Sequence, residues 1–275
     1  MELSRLHWRE ESLPVPTSDV VFKTTGSLAE IIFDRPEARN AMTWPMYDAL
    51  IEHCDAVDAD ENIRVLILRG AGGKAFVSGT DISQFKTFKT DLDGLEYERR
   101  IDRVVTRLEH VSVPTIAAIH GVATGGGCAL AAACDLRICT TDSRFGIPIA
   151  RTLGNCLSMS NVTRLLNLVG PVTLKEMVFT GRLFSAAEAA GAGFINKVVD
   201  PDLFESTVNE YAETVASNAP LTIRATKEMI RRIEDDRTVA ADTGSDLIVE
   251  CYTSDDFHGG VDSFLKKQSP TWTGR

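Results

Sequence analysis

Residues 113–138 read VPTIAAIHGVATGGGCALAAACDLRI, and the fold turns on how this stretch divides. Thr115 to Ile119 is a short apolar run that suits a buried strand. Gly121 follows, and then Gly125-Gly126-Gly127 opens a helix of small residues, Cys128-Ala129-Leu130-Ala131-Ala132-Ala133. Leu136 to Cys139 is the next strand. Three glycines between strand and helix are poor for stability, since each costs about 1 kcal/mol relative to Ala within a helix. That cost makes sense where something must approach the backbone closely. A helix start offers unpaired N–H groups and a partial positive charge. Such a site suits a carbonyl oxygen that becomes negative during a reaction. The alternative is tight helix–sheet packing with no ligand.

Working outward, two β-rich runs between Val20 and Phe33 flank Gly26 and predict a hairpin. A helix is expected from Thr43 to Asp58, with Thr43 as N-cap and Pro45 in the first turn. Val65-Leu66-Ile67-Leu68 suits another buried strand. Ala75-Phe76-Val77 then leads into Ser78-Gly79-Thr80-Asp81, where a glycine turn could aim one more N–H into the same pocket. Asp81 would cap the next helical turn. Residues 91–110 are charged and read as a helix. Past Asn155 the chain turns mostly helical, with one more strand near Ile195–Val199. The alternation implies an α/β layer fold. The divisions expected are an N-terminal extension over 1–19, a core over 20–200 and a helical C-terminal region over 201–275.

The totals narrow the function. The chain has 275 residues, 44% of them apolar, and a formal net charge of −10. With no block of Lys and Arg, a nucleic-acid partner is not expected. No apolar run approaches membrane-spanning length. The N-terminus lacks the apolar segment of a secretory signal. The six cysteines form no C-x-x-C and have no histidine at metal-ligand spacing, so a reduced, cytoplasmic protein without a metal is expected. No G-x-G-x-x-G opens the glycine helix, and Gly73-Lys74 is followed by Ala75 rather than Ser or Thr. There is no G-x-S-x-G elbow and no H-E-x-x-H.

Several long segments, in order, resemble the crotonase family, the enoyl-CoA hydratase/isomerase group. They are RPEARNAM at 35–42, GGKAFVSGTDI at 72–82, residues 113–138, FTGRLFSAAEAAGAGFINKVV at 179–199 and SDDFHGGVDSFLKKQSPTWTG at 254–274. The resemblance implies a spiral of ββα turns with a helical C-terminal region, assembled as trimers or dimers of trimers. It implies an acyl-CoA substrate, with coenzyme A part of the substrate and no separate cofactor. It places an oxyanion hole at the backbone N–H groups of Thr80 and Gly126. Ala38 and Arg39, with Ser78, Gly79, Thr80, Asp81 and Ile82, would lie near the CoA. Thr80 stands where Ala is common, which matters little for a backbone donor.

The chain departs from the hydratase pattern at two positions. Hydratases carry one Glu after the glycine triplet and another in an F-G-x-P-E segment; here those positions hold Ala129 and Ile149. Adding water to an enoyl thioester needs a base for the water and an acid for the α-carbon. Alanine and isoleucine supply neither, so the cavity is expected to be bare of glutamate. What remains is the loop Arg151 to Ser158. Cys156 could act as a nucleophile if its pKa is lowered, or be a small buried residue. Arg151 could pair with a substrate carboxylate or form a surface ion pair. Asn155 could donate to a polarised oxygen or cap a helix. His120 is expected to be structural, His53 and His110 solvated or interfacial, and Tyr252 and Phe257 cannot be placed. Decarboxylation or thioester hydrolysis is therefore expected ahead of hydration. The alternatives are a non-catalytic acyl-CoA binder and a hydratase using a carboxylate from elsewhere in the chain.

Overall fold

The structure, a computed structural model, describes residues 19–237 and 241–275. The extension expected over 1–19 falls, except for its last residue, outside them. β1 (Val20–Thr25) and β2 (Leu28–Phe33) form the expected hairpin, in register from Val20↔Phe33 to Thr25↔Leu28. α1 (Trp44–Ala59) follows, with Pro45 in its first turn and Met46, Leu50, Cys54 and Val57 on its buried face. Thr43 is extended at its N-cap, but its side chain makes no capping hydrogen bond. β3 (Val65–Gly70), β4 (Ala75–Val77) and α2 (Asp91–Glu109) come next.

The segment around the glycines folds as β5 (Thr115–Ile119), β6 (Val122–Thr124), α3 (Gly126–Ala133) and β7 (Leu136–Thr140). β8 (Arg144–Gly146), α4 (Ile149–Thr152), α5 (Met159–Thr180), β9 (Phe184–Ser185), α6 (Ala186–Gly191) and β10 (Lys197–Val199) complete the core. Four helices end the chain: α7 (Phe204–Ser217), α8 (Pro220–Arg237), α9 (Ser245–Tyr252) and α10 (Asp255–Leu265).

Two sheets share these strands. The larger runs β1-β2-β3-β5-β7-β10 and the smaller β4-β6-β8-β9. Beyond the opening hairpin the larger sheet is parallel. Each turn of chain lays a strand in the larger sheet, then a short one in the smaller, which is the spiral the family resemblance implied. The transfer from β5 to β6 is made at Gly121, whose φ is +63° and where a Cβ would lie 2.0 Å from Lys74 O. No other residue fits there.

α3 is buried along almost its whole length, from Gly127 to Ala133. Its lack of a polar face follows from its place inside the fold. α2 is amphipathic, burying Gly94, Glu98, Ile101, Val104, Val105 and Leu108. One charged residue thus stands on its apolar face. α9 lies against α2, and Gly94 makes this possible: a Cβ there would meet the Tyr252 ring at 2.6 Å. Among the described residues no helix is long and apolar enough to cross a membrane.

Candidate functional site

The loop after β4 is fixed from one side. Met42 N–H donates to Gly79 O at 2.8 Å, and Asp81 N–H donates to Met42 O at 2.9 Å. These two bonds make the parallel bridge between Met42 and Thr80. In such a bridge the N–H of the middle residue points away from the partner strand. The Thr80 N–H therefore points away from Met42. Its side chain is held too. Thr80 Oγ1 lies 2.8 Å from the phenol oxygens of both Tyr47 and Tyr97. Burial pushes both phenols above their usual range, so they stay protonated.

The segment 35–42 supports this loop. Asn40, fully buried with φ +56°, accepts from Arg35 N–H at 3.0 Å and donates to Ala71 O and Ala75 O. Arg35 pairs with Asp81 at 2.7 Å. Asp81 also caps the following turn, accepting from Ser83 N–H at 3.0 Å. Burial opposes its ionisation, but the Ser83 and Arg35 hydrogen bonds hold its pKa below the usual range.

The three glycines answer three different demands. Gly125 turns the chain at φ +54°. Gly126 begins α3, so its N–H is one of the helix's unpaired donors. A Cβ on Gly126 would meet Tyr47 Oη at 3.2 Å and Gly79 C at 3.9 Å. The 79–80 peptide and the start of α3 are thus in contact. Gly127 packs on β4, where a Cβ would fall 2.0 Å from Val77 O. Tight packing, one of the two readings the sequence offered, holds at Gly127.

A cavity of about 660 Å³ is lined by both Thr80 and Gly126. Ala38 and Arg39, residues 78–82 and Gly126 all line it, as do Arg151 and Asn155. Ala129 and Ile149 line it as well, with apolar side chains. Arg151 is exposed, its stem against Gly181, and no carboxylate lies within 4.0 Å of it among the described residues. Asn155 Nδ2 donates to Tyr252 Oη at 3.0 Å, while its Oδ1 is buried with no protein partner.

Cys156 does not line the cavity. It packs against α9, its thiol donating to Leu247 O at 3.7 Å. The neighbouring Cys251 and burial raise its pKa, so it is held as a thiol rather than a nucleophilic thiolate. The histidines are placed elsewhere: His53 stacks on Phe22 with ring centroids 5.1 Å apart, and His120 packs edge-on to Phe204. His53 is thus half-buried against Phe22 and away from the cavity. Tyr252 is buried against Tyr97 of α2, and Phe257 is buried against Tyr252 and Phe85.

Sequence reasoning expected a cavity bare of glutamate, and the fold corrects it. Glu98 of α2 lines the same cavity and is only 4% exposed. Its Oε1 accepts from Tyr252 Oη at 2.6 Å and its Oε2 from Ser158 N–H at 3.0 Å. Burial pushes its pKa up to about 8, the Tyr252 hydrogen bond opposes this, and Asp102 on the same helix adds to it. At neutral pH it is mostly a carboxylic acid. One signal in the sequence marks it: positions 94, 98, 101, 105 and 108 form a helical stripe, and Glu98 sits among apolar members of it.

The comparisons agree on the class of protein this architecture and pocket define. The structure superposes on methylmalonyl-CoA decarboxylase in complex with 2-nitronate-propionyl-CoA with a TM-score of 0.84, at 26% identity, covering 93% of this chain and 98% of that one. It superposes on an enoyl-CoA hydratase/isomerase from Xanthobacter autotrophicus Py2 with a TM-score of 0.83, at 29% identity, covering 90% and 93%. The short-chain-enoyl-CoA hydratase of Clostridium acetobutylicum is 33% identical over 252 residues, 91% of this chain and 96% of that protein. The model of the enoyl-CoA hydratase/isomerase family matches residues 23–275. The chain belongs to the enoyl-CoA hydratase/isomerase family and is an acyl-CoA-processing enzyme of the crotonase type.

Proposed function

We propose that the enzyme binds an acyl-CoA thioester with its carbonyl oxygen between the N–H groups of Thr80 and Gly126, and that it removes CO₂ from a malonyl-type acyl group. The observation that carries this reading is the pairing of those two donors with apolar residues at 129 and 149 in one cavity. Two fixed donors stabilise an enolate oxygen, and one such donor is typically worth about 2.7–4 kcal/mol. Loss of CO₂ generates that enolate without a base. The C–C bond breaks, its electron pair enters the thioester enolate, and the α-carbon then takes a proton.

Arg151 fits the carboxylate of such a substrate, being a cation at the cavity with no acidic partner among the described residues. Arg39 and Lys267, also lining the cavity, fit the phosphates of CoA. The similarity to a methylmalonyl-CoA decarboxylase supports the reaction, though other relatives are named as hydratases. Thioester hydrolysis loses Cys156 as its nucleophile, since that residue lies outside the cavity, and is left with a bound water as the attacker. Exposed apolar side chains, Val172 and Phe179 on α5 and Leu221 on α8, suit burial in a homotrimer or a dimer of trimers.

Glu98 favours a second reading, hydration with a carboxylate from another part of the fold. Turnover of malonyl-, methylmalonyl- and crotonyl-CoA separates the two. CO₂ release with negligible hydration of crotonyl-CoA supports the first reading. Faster hydration than decarboxylation supports the second. Binding measured by calorimetry with no turnover of any of them makes the protein a non-catalytic acyl-CoA binder.

A further inference from the structure

Glu98 is a costly residue where it stands. A carboxyl group removed from water needs partners. Its partners are two neutral donors, Tyr252 Oη and Ser158 N–H, and among the described residues no Lys, Arg or His lies within 4.0 Å of it. A leucine or glutamine could fill the same stripe of α2. The residue before it, Tyr97, holds Thr80 Oγ1, so one turn of α2 is tied to the thioester loop and also carries the carboxyl group. Among the described residues the Asp or Glu lining this cavity are Glu37, Asp81 and Glu98. Glu37 is exposed, and Asp81 is engaged by Arg35 and Ser83. Glu98 alone of the three is buried, and it lines the cavity together with Ala129 and Ile149.

We propose that Glu98 carries the proton to and from the α-carbon of the bound acyl thioester. This rests on the thioester reading of the Thr80–Gly126 pocket. It does not depend on which reaction forms the enolate. When the enolate collapses, a C–H bond forms at the α-carbon as the Glu98 O–H bond breaks. The carboxylate then regains a proton from water. In the reverse sense the carboxylate removes an α-hydrogen from a saturated acyl-CoA, exchanges it with solvent and returns it. Tyr252, held against Gly94 and itself accepting from Asn155, fixes the carboxyl orientation.

The groups facing Glu98 set its titration. Asp102 and Tyr97 lie on its own helix, Tyr47 on α1, Tyr252 on α9, and Cys156 in the loop before α5. All are neutral or negative when they ionise. The cation Arg164 of α5 acts on Asp102. Exchange that needs the carboxylate therefore rises with pH through a midpoint near the pKa of Glu98, about 8.

The test is α-hydrogen exchange of butyryl-CoA in D₂O, followed by mass spectrometry, with binding measured separately by calorimetry. The wild-type protein is expected to exchange, and Glu98→Gln to lose at least about 100-fold of the rate while binding butyryl-CoA equally well. Tyr252→Phe, which removes a donor to the carboxylate, is expected to retain exchange with its pH midpoint moved upward. That shift is one that a purely structural Glu98 would not produce, and it serves if Glu98→Gln does not fold. Undiminished exchange in Glu98→Gln overturns the proposal. So does a wild-type protein that binds butyryl-CoA without exchange, or an unmoved midpoint in Tyr252→Phe. Failure of every acyl-CoA to bind instead overturns the thioester reading on which the proposal stands.

Discussion

Replacing Glu98 with glutamine removes one ionisable group from the interior while keeping its shape and a hydrogen-bonding head. Burial pushes the carboxyl group of Glu98 up to about 8 in the folded protein, from about 4.5 for a free glutamate side chain. Between these values the folded chain holds a proton that the unfolded chain has released. Stability therefore falls as pH rises, by up to about 1.4 kcal/mol per pH unit. The contribution is fully present below pH 4.5 and is lost as pH rises through about 8. From pH 6 to pH 8 that pKa pair implies a loss of about 2 kcal/mol. For a chain of this size the loss is about 4–8 °C in melting temperature. Glutamine cannot ionise, so this component should vanish from the variant. The assay is thermal unfolding of both proteins, followed by circular dichroism at half-unit pH steps. The expected result is a wild-type melting temperature that falls relative to Glu98→Gln as pH rises from 6 to 8. Parallel curves would refute a neutral buried carboxyl.

Three further outcomes follow from the packing around the site. Thr80→Ala leaves the buried phenols of Tyr47 and Tyr97 without their shared partner and should cost about 1–3 kcal/mol in urea unfolding. The Thr80 N–H is untouched, so kcat on any accepted acyl-CoA should fall by less than about tenfold, well short of the loss of a donor. Gly127→Ala drives a methyl group into Val77 O and should destabilise by about 1–3 kcal/mol, measured by the same unfolding curves. Arg137→Ala leaves Phe194 O, Ala131 O and Cys134 O without the guanidinium that ties β7 to the end of α3, and should lower the melting temperature by several degrees. A melting temperature within a degree of wild type would show that solvent replaces it.

Much of the fold could be read in advance because the large-sheet strands are continuous apolar runs. Val65-Leu66-Ile67-Leu68 and Thr115–Ile119 are buried on both faces, and their composition says so. The small sheet was missed beyond β4. Its strands β6, β8 and β9 have two or three residues each, too few to carry a period-2 pattern. The motif segments singled out for the pocket do meet at one cavity, apart from Cys156, whose direction no local pattern encodes.

By itself the sequence determined the strand–helix alternation, the glycine-opened helix α3, and the absence of carboxylates at 129 and 149. Those properties live in short segments, where side-chain size, backbone freedom and periodicity act locally. Only the tertiary structure decided that Glu98 lines the cavity and that Cys156 does not. Glu98 receives hydrogen bonds from Ser158 and Tyr252, 60 and 154 residues away along the chain. Its protonation is set by their packing and by the exclusion of water, and no local spacing fixes either.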